Sequence, residues 1–438
     1  MNEINPLLVP DALLDFSAIR AVHVAPAMAQ LLTEAEEALD KVTSDAVPAD
    51  YDAMSAVLDV ATERLGRAWG AVHHLTAVAD TPELRAAYNE QLPAVTEFHT
   101  RLGADERLYA KYKQIAHGPA AAALSAPRRQ ALSNAMRDFV LSGAELKGPD
   151  RDRYAQIQDR LATLSQSYSE HVLDATDGFA LYVDEAELAG VPADVIAAAR
   201  AAAEAEGKPD HKITLHFPSY FPVMQYGSNR ALREKLYVAY VTRASEAGPA
   251  ALDNSAVMRE LLDLRQEEAR LLGYASFAEV SLVPKMADSP QQVSGFLRDL
   301  AQRARPYAER DLAELRSFAR TELGLDELQA WDFPYASEKL KESRYAFSDQ
   351  EVKPYFTETK VLDGLFRIIE TVGAKTLTQT DRYHDDRTAA PFTANMVAPQ
   401  GARLKRTVSV GAILLTVVFV VIWGWGFVAD ILETFSGR

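Results

Sequence analysis

The sequence has 438 residues, of which 48% are hydrophobic, and a formal net charge of −16. This composition supports folded domains with a substantial core, excludes an intrinsically disordered chain, and argues against nucleic-acid binding because an acidic surface repels phosphate. The absence of cysteine excludes disulfides and thiolate metal sites and fits a reducing compartment.

Apolar residues recur at helical spacing through residues 1–175 and predict an N-terminal helical lobe. Thr81 and Pro82 suit the N-cap and first turn of a helix. Asp177-Gly178 is typical of a turn and predicts the end of a long helix. Two apolar stripes define the long helices, one through Leu58, Ala61, Leu65, Ala68, Val72 and Leu75, the other through Tyr154, Ile157, Leu161, Leu164, Tyr168 and Val172.

Alternating apolar residues then predict two short strands in a connector over residues 176–228. An Ala-rich segment from Ala193 to Glu206 lies between the two strands and favours a helix. The alternating residues are Phe179, Leu181 and Val183 in the first strand and Ile213, Leu215 and Phe217 in the second.

Helical periodicity returns over residues 229–372 and predicts the opening part of a second helical lobe. Ser289 and Pro290 suit the N-cap and first-turn positions of one of its helices. One predicted stripe runs through Val257, Leu261, Leu264 and Leu271, and another through Val293, Phe296, Leu300, Ala304 and Tyr307.

The composition changes after Val372. Residues 373–406 are rich in Thr, Ala and Asp and have no apolar period, so they predict a linker. Residues 407–429 carry no charged side chain, and a helix of that length spans about 35 Å, enough to cross a bilayer. They therefore predict a C-terminal transmembrane helix, which is followed by a short tail at residues 430–438.

Charged residues on the two sides of this run predict its orientation. Arg403, Lys405 and Arg406 precede it, and Asp430 and Glu433 follow it. Basic residues flank the cytoplasmic side of membrane helices. The sequence therefore predicts a cytoplasmic body anchored to the inner face of the cell membrane, with the membrane as a partner of residues 407–429.

Six stretches have an order and spacing found in one known family. They are NPLL at Asn5–Leu8, HVAPA at His23–Ala27, RAWGAVHHL at Arg67–Leu75, FPSYFPVMQYGSNRALREKLYVAYVTRASE at Phe217–Glu246, PYASEKLKESRYAFSDQEVKPYF at Pro334–Phe356 and KVLDGLF at Lys360–Phe366. Residues 1 to about 372 thereby resemble the oligopeptidase A branch of the thimet-type (M3) zinc metallopeptidases.

The resemblance implies a mainly α fold that is the N-terminal part of a helical clam-shell with a few short strands. It implies a channel that admits short peptides, proteolysis as the family activity and zinc as the family cofactor. In that fold residues 229–372 are the start of an incomplete catalytic lobe. We therefore expect the stripe through Val257, Leu261 and Leu264 to lose part of its apolar cover.

The family's zinc site requires His-Glu-x-x-His on one helix, which points two imidazoles at the metal and supplies a general base. None of the 438 residues forms this motif. No catalytic or metal-binding residue is therefore assigned, no cofactor is expected in this chain, and the substrate-binding residues are left open. The histidines, none of which has the required spacing, are His23, His73, His74, His99, His117, His171, His211, His216 and His384.

Other catalytic patterns are also absent or incomplete. Gly143 and Gly148 have the spacing of a phosphate loop, but Pro149 stands where that loop needs lysine. No nucleophile elbow or dinucleotide-binding fingerprint occurs. Tyr220, Tyr226 and Tyr345 either line a peptide channel or pack in the core, and core packing is the more common role.

Three hypotheses for function remain open from the sequence. The first is a truncated oligopeptidase A-like zinc metalloendopeptidase that is inert as it stands. The second is a membrane-anchored, non-catalytic protein that binds peptides or acts as a scaffold. The third is a frameshifted or misjoined gene product, for which a His-Glu-x-x-His motif would follow the codon for Val372 in another reading frame.

Overall fold

The computed structural model describes residues 5–9, 14–346 and 349–368. Within these residues the chain forms two compact units. Unit 1 contains the residues up to Glu170 together with Ser255–Ser294, and unit 2 contains His171–Asn254 together with residues 295–368. The described residues are mainly helical with two short strands, which confirms the predicted mainly α class.

The α-helices are α1 (Ala21–Thr43), α2 (Tyr51–Val78), α3 (Pro82–Gly103), α4 (Glu106–His117), α5 (Ala126–Leu141), α6 (Pro149–Asp177), α7 (Ala193–Glu204), α8 (Phe217–Tyr226), α9 (Arg230–Val241), α10 (Ser255–Leu271), α11 (Phe277–Leu282), α12 (Pro290–Glu322), α13 (Phe333–Tyr345) and α14 (Asp349–Val352). Residues 358–368 are also helical. Short 3₁₀ helices lie at Pro6–Leu8, Pro119–Ala123, Glu185–Leu188, Ala250–Leu252, Ala330–Asp332 and Lys353–Tyr355. The strands are β1 (Leu181–Val183) and β2 (His211–Ile213).

Polar side chains cap the first helices of unit 1. The Thr81 hydroxyl accepts a hydrogen bond from the Leu84 amide at 3.2 Å, which confirms the predicted start of α3. Asp50 and Asp105 cap α2 and α4 in the same way. Each cap satisfies an amide that has no partner inside the helix.

Helices α1, α2 and α3 share one apolar core in unit 1. Its most buried side chains include Met28, Leu31, Leu65, Val72 and Phe98. A second cluster joins α4 and α5 to the ends of α1 and α2, with Tyr109 against Phe139. The stripe predicted for α2 from helical spacing therefore faces the interior, as expected for an amphipathic helix. The stripe predicted for α12 does not, since Phe296, Leu300 and Tyr307 are exposed.

Helix α10 packs against α6, which corrects the expectation that its apolar stripe would lose cover. Leu261 and Leu264 join Ile157 and Leu164 in one buried cluster. The ion pair between Arg153 and Glu267 flanks it, with both nitrogen–oxygen distances under 2.8 Å. The residues that cover the stripe belong to α6, about a hundred positions earlier in the chain. The spacing of apolar residues within α10 could not predict this partner.

Unit 2 contains the two strands, which pair antiparallel. Leu181 pairs with Ile213, and Val183 pairs with His211. The predicted second strand is wrong beyond Ile213, because α8 begins at Phe217. Pro218 lies in the first turn of α8. Proline favours a helix start there, because the backbone N–H that it lacks would have no partner inside the helix.

The predicted transmembrane helix at residues 407–429, the linker at 373–406 and the tail at 430–438 lie outside the described residues. Among the residues that the structure does describe, no helix is both long enough and apolar enough to cross a membrane.

Replacing Leu264 by Ala should lower the free energy of unfolding by about 2–4 kcal/mol, because a buried leucine leaves a cavity when truncated. Leu264 is 8% exposed and Leu262, on the same helix, is 65% exposed. Leu262→Ala is thus a matched control that should change stability little. Urea unfolding followed by circular dichroism measures both, and equal losses in the two variants would contradict the packing of α10 on α6.

Candidate functional site

Three of the histidines that the structure describes each make a polar contact with a different partner. His23 accepts a hydrogen bond from the Arg20 amide at the start of α1, at 3.0 Å. His171 lies 2.8 Å from the side-chain oxygen of Asn254. His216 lies 3.0 Å from a carboxylate oxygen of Asp177. These contacts fix helix ends and loops in place.

Within the described ranges, no group of three or more His, Cys, Asp or Glu side chains could hold a metal ion. The donors found there consequently do not fit a zinc ion, which needs at least three convergent ligands. His384, the remaining histidine, lies outside these ranges.

The tyrosines considered for a peptide channel divide into two groups. Tyr220 and Tyr226 are buried in unit 2. The Tyr220 ring stacks on Tyr240, with centroids 4.2 Å apart and planes nearly parallel. Tyr345 is exposed near the end of α13. Tyr220 and Tyr226 therefore pack in the core.

The most strongly buried charges in unit 2 form an ion pair between Arg233 and Asp332, which we call the buried pair. Arg233 is 1% exposed and Asp332 is 0% exposed. A guanidinium nitrogen of Arg233 donates to Asp332 at 2.8 Å. Arg230 adds a second cation, donating to the same carboxylate at 2.7 Å.

Backbone and aromatic groups complete the surroundings of Arg233. Its guanidinium donates to the Gly227 carbonyl at 2.7 Å and to the Trp331 carbonyl at 3.3 Å. The ring of Tyr335 lies 4.2 Å from the guanidinium carbon. The side chain thereby joins the end of α8 to the 3₁₀ turn at Ala330–Asp332 and to α13.

The environment of Asp332 determines its charge state. Burial by itself would raise the pKa of this carboxyl, but hydrogen bonds from Arg230, Arg233 and the Gln329 amide outweigh it and lower the pKa. Asp332 therefore stays ionised and paired. A carboxylate held in this way does not serve as a general acid or base near neutral pH.

Glu338 is a second buried carboxylate of unit 2, at 4% exposure. One of its oxygens accepts from Gln225 at 2.8 Å and from Lys341 at 2.7 Å. Its other oxygen is buried without a hydrogen-bond partner in the described structure. Burial of such an atom costs free energy.

Unit 1 contains a cavity of about 420 Å³ between α2, α3 and α6. Trp69, His99, Ser142, Tyr154 and Gln158 are among the residues that line it. The lining offers apolar contact and hydroxyl groups, which suits a small neutral molecule.

Sequence periodicity missed the buried pair. Arg233 lies three residues before buried Leu236 on α9, so a charged residue falls on the apolar stripe of that helix. This is the signal that a sequence alone offers, because buried arginine requires an acidic partner. The partner, Asp332, is 99 positions away in the chain, and nothing in its neighbourhood points to Arg233.

Two family models match the chain in order. Residues 28–151 match the N-terminal domain of neurolysin/thimet oligopeptidase, and residues 223–389 match peptidase family M3. Oligopeptidase A of Salmonella typhimurium and that of Escherichia coli are each 45% identical over 388 residues, or 87% of this chain. A probable cytosolic oligopeptidase A of Arabidopsis thaliana is 37% identical over 378 residues, covering 84% of this chain and 53% of its own length. The chain belongs to the M3 peptidase family.

The M3 match includes both unit 2 carboxylates, Asp332 and Glu338, and runs past residue 372 into the predicted linker. The chain spans about half the length of the curated relatives that it matches, with 57% of each bacterial oligopeptidase A covered. M3 peptidases are zinc-dependent.

Replacing Asp332 by Asn should cost about 3–5 kcal/mol of unfolding free energy, because it leaves Arg233 buried without its counter-charge. Asp299→Asn is the control, since Asp299 forms an exposed pair with Arg303 at 2.9 Å and such pairs contribute little. Thermal and urea unfolding measure both variants. A loss below 1 kcal/mol for Asp332→Asn would contradict the assigned role of the buried pair.

The same carboxylate should make stability depend on pH. Because the pKa of Asp332 is lowered in the folded protein, its contribution is present above the ordinary value of 3.8 and is lost as the pH falls below it. Unfolding of the wild-type chain should therefore become easier as the pH falls below about 4. Asp332→Asn should show a smaller change over the same range, and identical pH profiles would contradict the assignment.

Proposed function

We propose that this chain is an oligopeptidase A-like zinc metalloendopeptidase by descent, and that its 438 residues do not by themselves hydrolyse peptides. The observation that supports descent is the ordered match to both family models together with 45% identity to two bacterial oligopeptidases A. The family role is hydrolysis of short peptides, and this chain supplies the helical body associated with that role.

The proposal of inactivity is based on the zinc ligands. Peptide hydrolysis by this family uses a metal-bound water, which requires three protein ligands with one open position. The sequence contains no His-Glu-x-x-His, and the described residues bring no suitable donor group together. Zinc-dependent peptide hydrolysis would need metal ligands that are not found among these residues.

A non-catalytic scaffold is the second candidate function. It is favoured by uncovered apolar side chains on α12, where Phe296, Leu300 and Tyr307 are exposed. Exposed apolar surface of this kind is typical of a protein-binding face. In this interpretation residues 407–429 anchor a cytoplasmic body to the membrane, as their sequence predicts.

The purified chain should bind no stoichiometric zinc and should cleave no quenched fluorescent peptide. Metal analysis and a fluorescence assay measure these properties, with Escherichia coli oligopeptidase A as the positive control. One tightly bound zinc per chain with chelator-sensitive cleavage would overturn the proposal. Binding of short peptides without cleavage would support the scaffold in place of an inert remnant.

A further inference from the structure

The cavity between α2, α3 and α6 has a lining that carries no formal charge. Its volume is about 420 Å³, and none of the eleven residues that line it is Asp, Glu, Lys or Arg. Those four residue types make up 25% of the chain. All the lining residues belong to unit 1, and we call this space the unit 1 cavity.

The uncharged lining favours a neutral ligand. A phosphate or carboxylate group placed in the cavity would meet no cationic side chain, and an ammonium group would meet no carboxylate. Removing a charge from water without a counter-charge costs free energy. A short peptide with free termini carries both kinds of charge, so it fits this cavity poorly.

Hydroxyl, imidazole and amide groups supply the polar part of the lining. Each hydroxyl can both donate and accept a hydrogen bond, as can a neutral imidazole. The side chain of His99 retains access to solvent, yet the protein around it lowers its pKa by burial, so it is neutral at pH 7 and above. The six side chains that carry these groups are Thr96, His99, Thr100, Ser142, Gln158 and Ser165.

The two threonines of α3 keep their hydroxyls available to the cavity. Other threonines within helices donate to the carbonyl four residues earlier, as Thr33 and Thr62 do at 2.9 and 3.0 Å. In the described structure neither Thr96 nor Thr100 makes such a bond. The two positions are four apart and therefore share one face of the helix.

The side-chain nitrogen of Gln158 is a buried donor without an acceptor. It makes no hydrogen bond in the part of the chain that the structure describes. Glu268 on α10 lies close by: burial raises the pKa of its carboxyl, and the Gln158 amide lowers it in part. An unpaired buried donor costs free energy, and a ligand oxygen in the cavity would remove that cost.

An indole ring supplies a flat apolar wall. Trp69 lines the cavity, and the ring of Tyr88 stacks on it with centroids 4.3 Å apart and planes 10° apart. This stacking holds the indole in one orientation. Val95 and Leu161 add to the apolar part of the lining. A wall of this kind beside hydroxyl groups suits a molecule that has both C–H and O–H groups at its surface.

We propose that the unit 1 cavity binds a neutral polyhydroxylated molecule of about the size of a monosaccharide. The hydroxyl groups of the ligand both donate and accept hydrogen bonds, as the polar lining does, and its C–H groups pack against Trp69. A purely apolar molecule of the same size would leave the threonine and glutamine groups unpaired. Binding of this kind requires neither zinc nor peptide hydrolysis.

The experiment uses the full chain in buffer without glycerol, sugars or glycoside detergents. The probes are D-glucose, N-acetyl-D-glucosamine and myo-inositol, and saturation-transfer NMR followed by isothermal titration calorimetry measures their binding. At least one probe should bind saturably, with a Kd of about 1 mM or tighter. The phosphorylated form of that probe should bind at least about tenfold more weakly, because its charge meets no counter-charge.

Matched variants test the lining itself. Gln158→Leu removes the buried donor at nearly the same size and should weaken binding by about fivefold or more. Gln156→Leu is its control, since Gln156 is exposed on the same helix and does not line the cavity. Thr96→Val should weaken binding about threefold, with Thr163→Val on the exposed side of α6 as its control. Circular dichroism and unfolding curves establish that each variant folds.

Four results would overturn the inference. They are no saturable binding of any probe at about 10 mM, equal affinity in Gln158→Leu and Gln156→Leu, tighter binding of the phosphorylated probe, and tighter binding of an uncharged acetylated dipeptide amide than of every sugar. Bound zinc with peptide cleavage would defeat the proposed function and leave this inference intact, so the two failures are distinguishable.

Discussion

The buried pair of Arg233 and Asp332 is the constraint on which unit 2 depends. It connects α9 to the turn before α13, and the guanidinium also holds the carbonyls of Gly227 and Trp331. Burying two charges away from water costs free energy unless the polar atoms of both side chains are hydrogen-bonded. Arg230 and the Gln329 amide complete the shell of the carboxylate, so segments far apart in sequence are fixed in one arrangement.

Apolar packing is distributed unevenly along the chain. Unit 1 closes its own core, and α10 returns to cover the stripe of α6 through Leu261 and Leu264. In unit 2 the C-terminal half of α12 packs Leu315 and Ala319 against Ala336, while the first half of the same helix is exposed. One helix thus has an end that is packed and an end that the described residues leave exposed.

Family membership and catalytic chemistry depend on different residues. The match to M3 peptidases covers both the N-terminal domain and the opening of the peptidase domain. The buried carboxylates found in the described residues are held by ion pairs and hydrogen bonds, and no group of three or more His, Cys, Asp or Glu side chains there could hold a metal ion. Similar sequence therefore establishes descent, whereas activity depends on a small set of ligands that needs its own evidence.

The sequence by itself determined the helical class, the N-cap of α3 at Thr81 and the end of α6 at Asp177, because these depend on local spacing and caps. Its six stretches of family-like sequence indicated the M3 family. Only the tertiary structure decided that α10 is covered by α6, that α8 begins at Phe217, and that Arg233 meets Asp332. The contacts of α10 with α6 and of Arg233 with Asp332 join residues that are about a hundred positions apart. Periodicity shows which face of a helix is apolar, but it carries no information on which distant element will cover that face.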